Sequence, residues 1–359
     1  MASFRRSIAP EFREKLLCWY DAHARDLPWR KSRDPYRVWV SEIMLQQTRV
    51  AAVVEHYHEF MRRFPTVQKL AAAREASVLA AWSGLGYYRR ARMLHAAAKL
   101  VARQRGGQFP QTAEEWRTLP GVGRYTAAAI SSIAYGQAVA VVDGNVERVL
   151  QRILAQPLTG EKMWSLAEAL LDRGRPGDFN QAMMELGATV CTPKSPACLT
   201  CPVINLCSSR GEMPGAEKPS RQEKREIHYA LDRRNGAVFL TQRPGDSRLM
   251  AGMWELPEIP NPSNGAKASL TVKHSITVTD YTVHVWPASA PQEIAGEWWP
   301  DSRLSRIALT GLARKILRRA GVIPGIRGSD ALIYYGRGFA NSERRLGKND
   351  RTGNRHEGS

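Results

Sequence analysis

No apolar run in this 359-residue chain approaches the roughly 18 residues of a membrane span. The arginines at Arg5 and Arg6 are not followed by an apolar core of signal-peptide length, so a soluble, cytoplasmic protein without membrane contact is expected. Acid is in short supply. Asp and Glu number 34 against 52 Lys and Arg, a net charge of +18. A field of that sign concentrates polyanions, and nucleic acid is the first partner to test. Cysteine is scarce, at five, and four of the five crowd into residues 191–207. Without a secretion signal, that crowding favours metal ligation over a disulfide framework. The 43% hydrophobic content supports real cores, and the length suits two domains, or three counting an inserted one.

The first two-thirds of the chain reads as helices. Phe12, Leu16 and Trp19 are spaced for an amphipathic helix over 10–23, and Cys18 on it is an ordinary buried thiol. Leu27-Pro28-Trp29-Arg30 breaks that helix and sets an indole beside a guanidinium. From Tyr36 a strongly apolar helix carries one carboxylate, Glu42. Such a group either pairs with a cation, here Arg37 or Arg49, or is held at a raised pKa for proton transfer. Gln46-Gln47-Thr48 behind it is polar, uncharged and suited to base edges. Helices are expected over 50–63, 66–82 and 113–118, with a basic helix from Tyr87 to Arg105. Before that basic helix, Gly84-Leu85-Gly86-Tyr87-Tyr88 forms a turn able to push an apolar or aromatic tip outward, as a wedge between base pairs.

Leu119-Pro120-Gly121-Val122-Gly123 lies between two short helices and reads as a helix–hairpin–helix, its glycines leaving backbone N–H groups open to a phosphate. About twenty residues on, an apolar strand-like run from Ala138 to Val142 delivers Asp143-Gly144-Asn145. By itself Asp143 reads first as the cap of a helix beginning near Asn145. Further helices are expected over 159–171 and 179–190. The cysteines follow as Cys191-x6-Cys198-x2-Cys201-x5-Cys207, and four thiolates suit either zinc or a [4Fe–4S] cluster. Residues 211–226 read as a linker. Beyond them the texture changes to short strands: Ile227–Leu231 and Val238–Gln242 flank Asn235-Gly236 as a hairpin, strands follow at 270–272 and 281–286, and a helix spans 304–319.

Taken together, these motifs resemble the helix–hairpin–helix DNA glycosylases that carry an iron–sulfur cluster and, within them, the adenine-excising branch. The resemblance covers about residues 10–323. It rests on Ser41-Glu42-Ile43-Met44-Leu45-Gln46-Gln47-Thr48, Gly84-Leu85-Gly86-Tyr87-Tyr88, the hairpin, Val142-Asp143-Gly144-Asn145 and the four cysteines. The implied fold is a mainly α glycosylase with an α+β, MutT/Nudix-like C-terminal domain. Residues 1–33 with 140–210 would form the iron–sulfur cluster domain and 34–139 a six-helix barrel holding the helix–hairpin–helix. Residues 227–323 would recognise 8-oxoguanine, ahead of a disordered tail over 324–359. The implied partner is duplex DNA containing A:8-oxoguanine or A:G mispairs, bound by a monomer, and the implied cofactor is a [4Fe–4S] cluster on Cys191, Cys198, Cys201 and Cys207.

The resemblance also implies roles. Glu42 is the general acid and base, Asp143 stabilises an oxocarbenium-like sugar, and Tyr125 and Asn145 support that pair. Arg25, Trp29, Arg30, Leu45 and Gln181 form the pocket for the extruded adenine. Gln47 and Tyr87 insert into the base stack, Thr48 and Leu85 lie beside the opposing lesion, and Gly121 and Gly123 hold a phosphate. Two features set this chain apart. Endonuclease III-like relatives place a lysine just after Gly-x-Gly-Arg, whose amine forms a Schiff base; here that position is Tyr125, which implies a monofunctional glycosylase. The family's lesion-reading His-x-Phe-Ser-His appears as His274-Ser275-Ile276-Thr277-Val278, where Thr277 keeps a hydroxyl in place of serine. The acidic, metal-binding Nudix box is missing after Pro257, so the C-terminal domain should recognise and not hydrolyse.

Overall fold

The computed structural model describes residues 2–211, 223–247, 249–262, 267–276 and 279–324. Among the described residues, eleven α-helices occupy the first part: α1 (Ala2–His23), α2 (Pro35–Leu45), α3 (Val50–Arg63), α4 (Val67–Ala72), α5 (Glu75–Trp82), α6 (Arg89–Gln104), α7 (Ala113–Trp116), α8 (Arg124–Tyr135), α9 (Gly144–Leu154), α10 (Gly160–Leu170) and α11 (Pro176–Thr189). Seven strands follow: β1 (Glu223–Ala230), β2 (Arg233–Arg234), β3 (Ala237–Gln242), β4 (Trp254–Glu255), β5 (Leu270–Ile276), β6 (Thr279–Trp286) and β7 (Glu297–Pro300). The last described helix is α12 (Gly311–Arg319).

The helices bury their apolar faces in two cores. Trp39, Tyr57, Phe60, Trp82 and Trp116 anchor the first, built from α2 to α8. Phe12, Leu16, Leu150, Leu166 and Phe179 anchor the second, where α1 joins α9, α10 and α11 across more than a hundred intervening residues, while Cys18 of α1, expected to be buried, is exposed on the outer face of the helix. The helix expected over 66–82 is two helices. Ala73 and Arg74 are extended between them, which lets Val67 and Leu70 share one core with Val78, Leu79 and Trp82. Thr112 and Glu115 close a capping box on α7, as the spacing requires.

The run Ala138–Val142 joins no sheet. Side chains satisfy its backbone instead: Ala140 N–H donates to Glu168 at 2.7 Å, Val141 N–H to Asn180 Oδ1 at 3.2 Å, and Asn180 Nδ2 to the Val139 carbonyl at 2.8 Å. Small apolar residues allow α10 and α11 to close over this segment, which explains a strand-like pattern without a strand.

The third core joins β-strands to α12 through Val238, Leu240, Val283, Val285, Ile316 and Leu317. One sheet runs β1-β6-β5, with β1 and β6 parallel, and the other runs β2-β3-β4 with β7 on β3. Asn235 and Gly236 do form the tight turn, both with positive φ. They join Arg233–Arg234 to β3, whereas Ile227–Ala230 lies in β1 beside β6, so the expected hairpin partner is corrected. The helix expected over 304–319 divides into a 3-10 turn, Asp301–Arg306, and α12, which Thr310 caps through Ala313 N–H. Residues 223–226 of the expected linker belong to β1; its residues 212–222, Thr277, and the tail beyond Pro324 lie outside the described residues.

Candidate active site

A cleft of about 1940 Å³ runs between the helical cores and the β-region. That exceeds the usual 300–1,000 Å³ of a small-molecule pocket and suits a polymer. Its lining gathers Arg25, Trp29, Arg30, Glu42, Leu45, Gln47, Thr48, Leu85, Tyr87, Gly121, Gly123, Tyr125, Asp143, Asn145 and Gln181. Every proposed DNA-side residue therefore meets at one place, except Thr277, which is outside the described residues.

Glu42 sits on α2 and is 5% exposed. Neither Arg37 nor Arg49 pairs with it. The Tyr125 hydroxyl, from the first turn of α8, donates to Glu42 Oε2 at 2.8 Å and touches Met184 Sδ at 3.2 Å. Burial lifts the Glu42 carboxyl to about 7, the Tyr125 hydrogen bond opposes the rise, and the nearby Asp143 charge adds to it. A carboxyl near 7 exists in both protonation states at physiological pH, which general acid–base work requires. Burial and the two carboxylates push Tyr125 well above its usual range, so it stays a neutral donor.

Asp143 is the N-cap of α9. Its Oδ1 accepts from Asn145 N–H at 2.9 Å and Val146 N–H at 2.8 Å, and its Oδ2 from Asn145 Nδ2 at 3.0 Å. Capping and catalysis are thus compatible readings here, because the same carboxylate that takes three hydrogen bonds at the start of α9 also lines the cleft. Asn145 is itself fixed: Arg148 Nη2 donates to its Oδ1 at 2.8 Å, and a side chain at Gly187 would stand 2.6 Å from Asn145 Cβ.

The sequence reading passed over two residues. Glu185 on α11 is 1% exposed and is held by Arg25, through Nε at 2.6 Å and Nη2 at 2.8 Å, and by Arg30 Nη2 at 2.8 Å. Burial pushes the Glu185 carboxyl up, but the two guanidinium groups overcome that and leave it below the usual carboxylate range. The signal was available, since a lone acid on the buried stripe of α11 needs a cation. Arg90 is the second. Its guanidinium bonds the carbonyls of Ile43, Met44, Gln46, Leu85 and Gly86 and the Thr48 hydroxyl, tying together the two loops that carry Gln47 and Tyr87. No spacing rule announces such a hub.

Those two loops are strained. Gln47 has φ 54° and Tyr87 φ 47°, the left-handed region that non-glycine residues rarely occupy, and Tyr87 is 51% exposed. Both strained residues line the cleft, and backbone strain of this kind clusters at functional sites. Leu85 is buried against the core. In the hairpin, Gly121 has φ 77°, and a Cβ there would lie 2.6 Å from Met93 Cβ, so only glycine fits. Gly123 caps α8 with no side-chain bond and open space beside it.

The four clustered cysteines lie apart from the cleft, around two 3-10 turns after α11, and all are free thiols. Among the described residues, no group of three or more His, Cys, Asp or Glu is gathered tightly enough for a single metal ion. Arg152 of α9 holds the loop, through Nη1 to Cys191 Sγ at 3.3 Å and to the Thr192 carbonyl at 2.7 Å, and through Nη2 to the Pro193 carbonyl at 3.0 Å. Burial raises the Cys201 thiol to about 11, and the other three thiols beside it act in the same direction.

A glycine turn feeding a helix, and a cleft holding one neutral-leaning and one capped carboxylate, define a helical fold of the base-excision type. The comparisons agree. The HhH-GPD superfamily base excision DNA repair protein model matches residues 40–170. Human adenine DNA glycosylase is 43% identical over 313 residues, covering 69% of this chain and 57% of that protein, so this chain spans under two-thirds of that relative's length. The structure of a thermostable thymine-DNA glycosylase is 31% identical with a TM-score of 0.54, covering 58% of this chain and 97% of that one. A non-covalent endonuclease III–DNA complex, 22% identical with a TM-score of 0.51, shares the fold. The chain belongs to the HhH-GPD superfamily of base excision DNA repair proteins.

Proposed function

We propose that this chain is a monofunctional adenine DNA glycosylase, hydrolysing the N-glycosidic bond of adenine mispaired with 8-oxoguanine or guanine in duplex DNA. One observation carries the reading: Glu42, a buried carboxyl with no ion pair, lies in the same cleft as the fully capped Asp143. The adenine anion is a poor leaving group, so the base must be protonated as it departs. Glu42, raised to about 7, gives that proton and then handles the attacking water, while Asp143 faces the growing positive charge on the sugar. The extruded adenine is received by Trp29, Leu45 and Gln181 beside the Glu185-anchored Arg25 and Arg30. Gln47 and Tyr87 fill the stack, Leu85 and Thr48 flank the opposing base, and the Gly121–Gly123 turn holds a phosphate. Tyr125 offers no amine, so no Schiff base forms and strand cleavage is not part of the reaction.

Cys191, Cys198, Cys201 and Cys207 fit a [4Fe–4S] cluster. Four soft, unbridged donors come from one short stretch, the other three act on the Cys201 thiol, and Arg152 holds Cys191. When bound, the cluster supplies thiolate cross-links that fix the loop following α11. The β-region, as a Nudix-like domain, reads the opposing lesion with His274, Ser275 and Thr277. A second reading, thymine excision from mismatches, is favoured by the likeness to the thymine-DNA glycosylase structure. Base release from duplexes holding A:8-oxoguanine, A:G or T:G decides between them. Adenine release from the first two, without strand cleavage, is expected; release of thymine alone overturns the proposal.

A further inference from the structure

The cleft is charged far beyond what base excision uses. Among the described residues, eleven Arg and Lys side chains line it against three carboxylates, Glu42, Asp143 and Glu185. Four of the cations form one stripe on α12. That helix buries Leu312, Ala313, Ile316 and Leu317 in the β-region core, and its other face presents Arg314, Lys315, Arg318 and Arg319 to the cleft. The helix contains no acidic residue, and none of the four forms an ion pair among the described residues.

A merely solvated basic face differs in one respect: its guanidinium groups reach water or a carboxylate. Elsewhere in this chain they do, as in Arg92–Glu75 at 2.8 Å and Arg175–Asp21 at 2.6 Å. On α12, Arg314 Nη2 and Arg318 Nε are buried without an acceptor among the described residues. Buried donors of the same charge on adjacent turns of one helix are placed to take acceptors from an anion in the cleft. Burial, with Arg318 and Arg63 nearby, pulls the Arg314 guanidinium down to about 10, against the influence of Tyr88.

The position of the stripe identifies the anion. Arg314 Nε donates to Ser83 Oγ at 2.8 Å, beside the turn that carries Leu85 and Tyr87. Lys315 Nζ donates to the Lys273 carbonyl at 2.7 Å, next to His274 and Ser275. The stripe therefore lies between the two segments assigned to the opposing base. We infer that Arg314, Lys315, Arg318 and Arg319 grip the phosphates that flank that base, on the strand opposite the extruded adenine. The inference rests on the cleft being the DNA site of the proposed function. It assigns α12 to backbone contact, which adds affinity without adding base selectivity.

The test is the salt dependence of duplex binding by the full chain. Each phosphate contact contributes about 0.9 to the slope of log K against log salt. The Arg318→Gln/Arg319→Gln variant should lose about 1.8 from that slope on matched and mispaired duplexes alike. Lys315→Gln should lose about 0.9. Arg103→Gln/Arg173→Gln, which removes two exposed charges away from the cleft, should leave the slope as it is. Methylphosphonates flanking the base opposite adenine should abolish the difference between wild type and the α12 variant, whereas methylphosphonates in the adenine strand should not. A variant slope equal to wild type overturns the inference, as does loss of the difference with the adenine strand modified. Wild-type chain that binds duplex but excises no adenine from any mispair refutes the functional reading instead.

Discussion

Two glutamates line the same cleft, equally hidden from water, and reach opposite states. Glu185 on α11 lies between Arg25 and Arg30 and is held below the usual carboxylate range. Glu42 on α2 bonds a neutral phenol, stands near a second carboxylate and feels Arg30 as the smallest of the influences on it, and burial lifts it to about 7. Burial alone would raise both. Whether a cation stands beside the carboxyl decides which one stays a fixed anion and which one carries a proton. One wall of the cleft is thus a rigid ion-paired frame for the base, and the other is a proton source.

The largest effect expected from breaking this contrast is on catalysis. Glu42→Gln should lower adenine release by about 10²–10⁴-fold in single-turnover assays. The same change should stabilise the fold at alkaline pH. A carboxyl raised from 4.5 to about 7 on folding costs nothing below the unfolded value, and its cost grows as pH rises through the folded one. At pH 8 the variant should gain up to about 3 kcal/mol in denaturant unfolding, a gain that vanishes below pH 4.5.

Glu185→Gln should do the reverse, losing about 1–3 kcal/mol at pH 7 because two half-buried cations lose their counter-ion. The folded Glu185 carboxyl lies below its unfolded value. Its stabilisation is therefore full above that unfolded value and lost as pH falls through the folded one, so the gap between variant and wild type should close in acid. A smaller shift is expected from Tyr125→Phe. It removes the hydrogen bond that favours the charged Glu42, and the alkaline limb of the pH–rate profile should move up by about one unit. A downward move would mean that Tyr125 acts on the substrate and not through Glu42.

Much of this was legible before the fold. Helical spacing located α2, α3 and α6, and the glycine pair located the hairpin, because those patterns are local. Glu42 carried two open readings, ion pair or proton carrier; only the fold shows that Arg37 and Arg49 stay away and Tyr125 arrives from 83 residues further on. Asp143 looked like a cap and is one, with the cleft on its other side. Apart from helices that split locally at Ala73–Arg74 and at Ile307, the misses were non-local. Ala138–Val142 copies a strand's apolar run but is satisfied by Glu168 and Asn180. The Asn235-Gly236 turn was read correctly, yet the strand before it was misassigned, because β1 pairs with β6 some fifty residues away. Arg90 works through backbone carbonyls, which leave no trace in side-chain spacing.

The pH–rate profile of single-turnover adenine release from an A:8-oxoguanine duplex tests the central claim most directly. The account predicts a rate that falls as pH rises through about 7 in the wild-type chain, and no such limb in the residual activity of Glu42→Gln. A wild-type rate that is flat between pH 6 and 8, or the same limb surviving in Glu42→Gln, would contradict it.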